Sequence, residues 1–140
     1  VELVIDASMA MAWAFADERD AEAIAAGRYV VKNGGIVPAL WLWEIQNVLR
    51  NAEKRGRVET YETSEILRAL RAMPLLVDAT ASAVTFGSEL SLARHHAFTV
   101  YDAAYLELAA RRGTRLATKD RALQAAAKSV DLLWTSETLD

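Results

Sequence analysis

The 140-residue chain contains no cysteine and only two prolines, and none of its apolar runs approaches the ~18–20 residues of a membrane span. The missing Cys excludes disulfides, thiolate metal sites and Cys nucleophiles together, and fits a reducing compartment, expected to be the cytoplasm. The first residues, Val-Glu-Leu-Val-Ile-Asp, lack the basic start of a signal peptide. There is no linker, repeat or low-complexity segment beyond a general Ala bias. A surplus of positive charge is also lacking: 19 acidic residues against 16 basic give a net charge of −3. That removes the usual broad electrostatic argument for nucleic-acid binding. With 53% apolar and 25% charged residues the chain is no disordered tail, and its length suffices to bury a core without a staple.

Five short runs read as strands: residues 3–6, 36–38, 75–78, 115–118 and 131–134. Most lack polar alternation, as expected of strands covered on both faces. Helical stretches lie between them, at about 8–32 with a break near Asp17–Asp20, then 39–55, 60–73, 80–96, 99–112 and 120–128. This alternation predicts one domain over 1–140, an α/β fold with a parallel sheet of about five strands and helices on both faces. Gly34-Gly35, Gly56 and Gly113 mark helix ends. Two helices in series over 39–73, joined near Gly56, predict a helical hairpin able to meet a partner.

Four carboxylates carry the chemistry. Asp6 ends the first strand, at the edge where open parallel sheets place their ligands, with Ser8 two residues on. Asp102 stands on the apolar face of its helix, surrounded by Tyr105, Leu106 and Ala109, while Glu107 and Arg111 point to the other side. Burying it without a partner is costly, although Thr99 and Asp102 also fit a capping box. Asp120 follows the fourth strand as an N-cap candidate with Thr118 and Lys119 beside it. Glu44 lies at the margin of a stripe formed by Trp41, Ile45, Val48 and Ala52, next to Asn47 and Asn51. Each has a plain structural explanation alone. Together they suit one or two hard cations, Mg²⁺ or Mn²⁺, and metal-assisted hydrolysis of a phosphodiester.

The segments Val4-Ile-Asp-Ala-Ser8, Trp41-Leu-Trp-Glu-Ile-Gln-Asn-Val-Leu49, Tyr101-Asp-Ala-Ala-Tyr-Leu-Glu-Leu-Ala109 and Leu116-Ala-Thr-Lys-Asp120 resemble the PIN domain, and more narrowly the VapC-type ribonuclease toxins of prokaryotic toxin–antitoxin pairs. The resemblance spans nearly the whole chain in the family's order. It implies a three-layer α/β/α sandwich and a Mg²⁺- or Mn²⁺-dependent endoribonuclease acting on RNA, inhibited by a cognate antitoxin. Asp6, Glu44, Asp102 and Asp120 match the family's catalytic, metal-binding acids. Ser8 and Thr118 match its supporting hydroxyls, and Asn47 the polar residue one turn beyond its Glu. The resemblance also implies a homodimer and an antitoxin bound along the early helices and the hairpin, with Trp43 as the candidate contact.

An acidic chain that binds RNA needs a local basic margin, for which Arg50, Lys54, Arg55 and Arg57 in the hairpin and Lys119 and Arg121 near the acids are candidates. His95-His96 is expected in a surface loop between two helices. Competing readings are a phosphatase or phosphotransferase using Asp6 as nucleophile, an RNA-processing PIN nuclease that is no toxin, and a non-catalytic protein-binding module.

Overall fold

The computed structural model describes residues 1–80 and 83–138. In chain order its elements are β1 (Leu3–Ile5), α1 (Ala7–Ala14), a 3-10 turn (Ala16–Glu18), α2 (Ala21–Asn33), β2 (Gly35–Val37), α3 (Ala39–Lys54), α4 (Thr60–Ala72), β3 (Leu75–Val77), α5 (Ser88–His96), α6 (Val100–Arg112), β4 (Leu116–Ala117) and α7 (Arg121–Ser129). The break expected near Asp17–Asp20 is there: α1 stops at Ala14, and Asp20 caps α2 by accepting from the Ala23 amide at 2.9 Å.

The strands pair in parallel in the order β3-β2-β1-β4, with Val4 opposite both Ile36 and Leu116. Their residues are mostly apolar because the central strands have helices against them; α2 and α6 both pack on β1, giving the three-layer α/β/α sandwich. Leu3, Val4, Ile5, Ile36, Val37 and Leu116 form the middle of the core. Gly35 is required for this closeness, since a Cβ there would lie 2.6 Å from Leu75 Cδ2 and 3.3 Å from the Leu3 carbonyl oxygen. All strands run the same way, so their carboxyl ends share one edge of the sheet.

Four sequence expectations are corrected. The sheet has four strands: 131–134 forms only an isolated parallel bridge, Leu133 with Leu116, supported by backbone bonds from Leu116 N to Leu132 O and from Trp134 N to Leu116 O. The chain leaves α7 through a turn with Asp131 at φ 57°, and β4 is two residues long, too short to extend a ladder. The helix expected over 80–96 begins only at Ser88, after Gly87 at φ 100°; residues 81–82 of that expectation lie outside the described residues. His95 and His96 belong to the last turn of α5, because the helix runs on until Ala97 ends it at φ 56°, and the His96 ring lies 5.3 Å from that of Phe98. On α3 the buried stripe is Trp41, Ile45, Leu49 and Ala52, with Val48 only half-buried.

Candidate active site

Asp6 follows β1 directly and caps α1. Its carboxyl group is 5% exposed and accepts from the Met9 amide at 3.0 Å, from Thr118 Oγ1 at 2.5 Å and from Ser8 Oγ, which stands 2.8 and 2.9 Å from its two oxygens. Ser8 has one hydroxyl hydrogen, so three donors serve about four lone-pair positions and one remains open. The hydroxyls are themselves held. Ser8 Oγ accepts from the Lys119 amide at 2.8 Å, and Thr118 Oγ1 accepts from the Asp120 amide at 3.0 Å. This network ties the end of β1 to the loop after β4, more than a hundred residues away.

Asp120 is exposed and caps α7 by accepting from the Leu123 amide at 2.9 Å. Asp102, half-buried, lies in the first turn of α6, where Thr99 Oγ1 accepts from its amide at 3.0 Å. The cap expected from Thr99 therefore exists, and the Asp102 carboxylate, itself bonded back to Thr99, is still near enough to Asp120 to feel its charge. Glu44, half-buried on α3, accepts a short hydrogen bond from the Tyr105 hydroxyl.

The acids sense one another. Burial raises the Asp6 carboxyl from 3.8 to about 6 against its hydrogen bonds to Thr118, Met9 and Ser8, and the Asp120 charge adds to the rise. Burial likewise raises Asp102, opposed by Thr99 and reinforced by Asp120. Burial also raises Glu44, opposed by the Tyr105 hydrogen bond and reinforced by Asp102. The electrostatic order is thus Asp6, Asp120, Asp102, Glu44. Tyr105 is 2% exposed, and its phenol is pushed far upward by burial, by its bond to Glu44 and by the charges of Glu44, Asp6 and Asp102. It remains a neutral donor among acids.

Among the described residues, none of these four carboxylates has a Lys, Arg or His partner within ion-pair distance. The all-oxygen donor set and its uncompensated negative charge fit a hard divalent cation. The spacing is looser: among the described residues no three His, Asp or Glu side chains are close enough to share one ion.

The other sequence candidates are dispersed around this edge. Asn47 is exposed one turn beyond Glu44. The Lys119 ammonium pairs with Asp20, and Arg50 reaches Glu53 at 3.4 Å. Arg121 is exposed at the start of α7. Arg57 is turned elsewhere, bound to Asp17 and Glu18 with its guanidinium 4.0 Å from the centre of the Phe15 ring. Trp43 is exposed. In the sequence Tyr105 reads only as an apolar neighbour of Asp102. Its i+3 spacing placed it on the right face, while its hydroxyl's partner on another helix was not visible.

A parallel α/β/α sandwich gathering acids from β1, α3, α6 and the β4–α7 loop at one edge defines a class of protein. The description of the PIN domain matches residues 3–129, and the chain belongs to the PIN-domain family. Within that family its likeness is to the VapC type: it is 33% identical over 125 residues to Ribonuclease VapC3 of Pyrobaculum aerophilum, covering 88% of this chain and 92% of that protein. The crystal structure of PAE2754 from Pyrobaculum aerophilum superposes with a TM-score of 0.66 at 24% identity, over 91% of this chain and 86% of that one, which supports the fold.

Proposed function

We propose that the chain is a metal-dependent endoribonuclease that hydrolyses RNA phosphodiester bonds, with Asp6, Glu44, Asp102 and Asp120 as its catalytic, metal-holding acids and 1–140 as its single nuclease domain. The observation that carries this is the row of four carboxylates at the carboxyl edge of the sheet, none with a cationic partner among the described residues and three of them, Asp6, Glu44 and Asp102, raised chiefly by burial. Membership of the PIN family and the likeness to a ribonuclease give the same direction. Asp102, Asp120, Glu44 and the open position on Asp6 would hold Mg²⁺ or Mn²⁺, one or two ions. Such a cation, when bound, neutralises the scissile phosphate and lowers the pKa of an attacking water. The chain's own residues prepare that site. Ser8 and Thr118 fix the Asp6 carboxylate, Thr99 fixes the turn carrying Asp102, and Tyr105 orients Glu44. Arg121, exposed at the start of α7, would form the basic margin of the acidic centre together with Lys119 and Arg50, which share their charge with Asp20 and Glu53.

The VapC likeness supports a toxin held in check by a cognate antitoxin and acting as a homodimer. A recess of about 970 Å³ between α1, α2 and α4, lined by Trp13, Phe15, Val31, Ile66 and Leu70, lies on the early helices and hairpin where that antitoxin would bind. Trp43 does not line it. Among the described residues no helix is long and apolar enough to cross a membrane.

Purified protein should cut single-stranded RNA with Mn²⁺ or Mg²⁺ and leave it intact in EDTA, while Asp102→Asn and Asp6→Asn stay folded and inactive. Full activity in both variants would remove the proposed site, and intact RNA under all conditions would favour the binding-module reading. Growth arrest on expression, relieved by Asp102→Asn, tests the toxin role against that of an RNA-processing nuclease.

A further inference from the structure

Helix α3 treats its first two tryptophans differently. Trp41 is buried in the apolar stripe, whereas Trp43, about 200° further round the helix, is 69% exposed. Tyr101 at the start of α6 is 61% exposed. Each exposed ring immediately precedes one of the acids, Trp43 before Glu44 and Tyr101 before Asp102. Both rings line the same open recess of about 650 Å³, together with Glu44, Asn47 and Arg50. Asn47 and Arg50 follow Trp43 at i+4 and i+7, so α3 presents a ring, an amide and a guanidinium along one side. Glu44 belongs to both the recess and the acidic row, making the two continuous.

We propose that this recess is a single-stranded RNA subsite in which Trp43 and Tyr101 stack on nucleobases next to the scissile phosphate and Arg50 takes a neighbouring phosphate. The inference rests on the nuclease reading and names what its substrate must present. Stacking suits unpaired bases, because every base has a π-face and in a duplex those faces are already occupied. Arg50 pairs with Glu53 at 3.4 Å through one nitrogen, and its side chain is 62% exposed, which leaves further guanidinium donors for a phosphate beside the rings. A dry protein partner fits this recess poorly, since it would bury the Glu44 carboxylate, which has no ion-pair partner among the described residues.

The test uses the full chain in the Asp102→Asn background, where turnover is blocked, with Mn²⁺ and a short fluorescent single-stranded oligoribonucleotide followed by anisotropy. Adding Trp43→Ala or Tyr101→Ala should weaken binding ~10-fold each, while Trp43→Phe keeps most of the affinity. A duplex of the same sequence should bind all variants alike. In the otherwise wild-type enzyme, the same Ala substitutions should raise KM rather than lower kcat. Unchanged single-strand affinity in both Ala variants would overturn the subsite, as would a dimer that Trp43→Ala converts to monomer in sedimentation velocity, which would assign the face to a second copy of the chain. Cleavage by the wild type alongside unchanged binding by the variants removes only the subsite. A wild type that neither binds nor cleaves RNA removes the nuclease reading with it.

Discussion

Helix α6 carries carboxylates on two sides, and the protein surrounds them in opposite ways. On one side Asp102 looks onto Asp120 and Glu44, with no cation in ion-pair reach among the described residues. On the other, Arg111 binds Glu107 at 2.8 Å, Asp78 at 2.7 Å and the Thr80 hydroxyl at 2.9 Å, joining the helix to the loop after β3. The consequences have opposite sign. Burial raises Asp78, yet the bonds and charge of Arg111 outweigh it and bring its carboxyl below the ordinary range. At the acidic edge nothing outweighs burial, and three carboxyls are held above theirs. One side of α6 uses its acids for cohesion. The other leaves its acids without a counter-charge among the described residues, as the proposed cation site requires.

The widest separation between the two sides should appear in activity. Asp102→Asn should lower RNA cleavage more than ~100-fold, beyond the loss typical of a residue that only supports a metal ligand, with the circular dichroism spectrum retained. Glu107→Gln, five residues along the same helix, should leave the cleavage rate near wild type. Equal losses in both would erase the distinction.

The sides should next diverge in pH dependence. The folded Asp6 carboxyl titrates at about 6 against 3.8 ordinarily, so its contribution to stability is complete below about pH 4 and is lost as pH rises towards 6. That gap corresponds to roughly 3 kcal/mol in metal-free protein, followed by urea denaturation across this window, and Asp6→Asn should flatten the slope. Glu44 and Asp102 act in the same direction. Asp78 acts in the opposite one, contributing above its unfolded value and losing that contribution as pH falls through its lowered folded value.

Smaller effects belong to single contacts. Thr118→Val removes a donor to buried Asp6 and an acceptor for the Asp120 amide, and should cost about 1–3 kcal/mol in denaturation experiments. Arg111→Ala should cost about 1 kcal/mol, because its ion pairs are partly solvated, and the difference should shrink in high salt. A larger loss from Arg111→Ala than from Thr118→Val would mean that the paired side is the more tightly built of the two.

Much of this was legible in the chain. Asp6 after an apolar run and Asp120 after another follow from strand polarity. Asp102 on an apolar face follows from the 100° step of a helix. Other features resisted the same reading. Residues 131–134 have a strand's composition, but pairing requires a neighbour long enough to answer them, and β4 offers two residues. The helix expected over 80–96 starts at Ser88, and among the described residues before it Thr80, Thr85 and Gly87 favour turns. Lys119 and Arg57 read as free cations until Asp20, Asp17 and Glu18 are found beside them.

The sequence by itself determined the alternation of strands and helices, the absence of thiol chemistry and which four acids stand where a parallel sheet exposes its carboxyl ends. These depend on local periodicity and on the residue types available. Only the tertiary structure decided that Thr118 closes on Asp6, that Tyr105 reaches Glu44, and that Trp43 and Tyr101 share one recess. The physical reason is separation along the chain: contacts sixty to more than a hundred residues apart are set by strand order and helix packing, which no local pattern encodes.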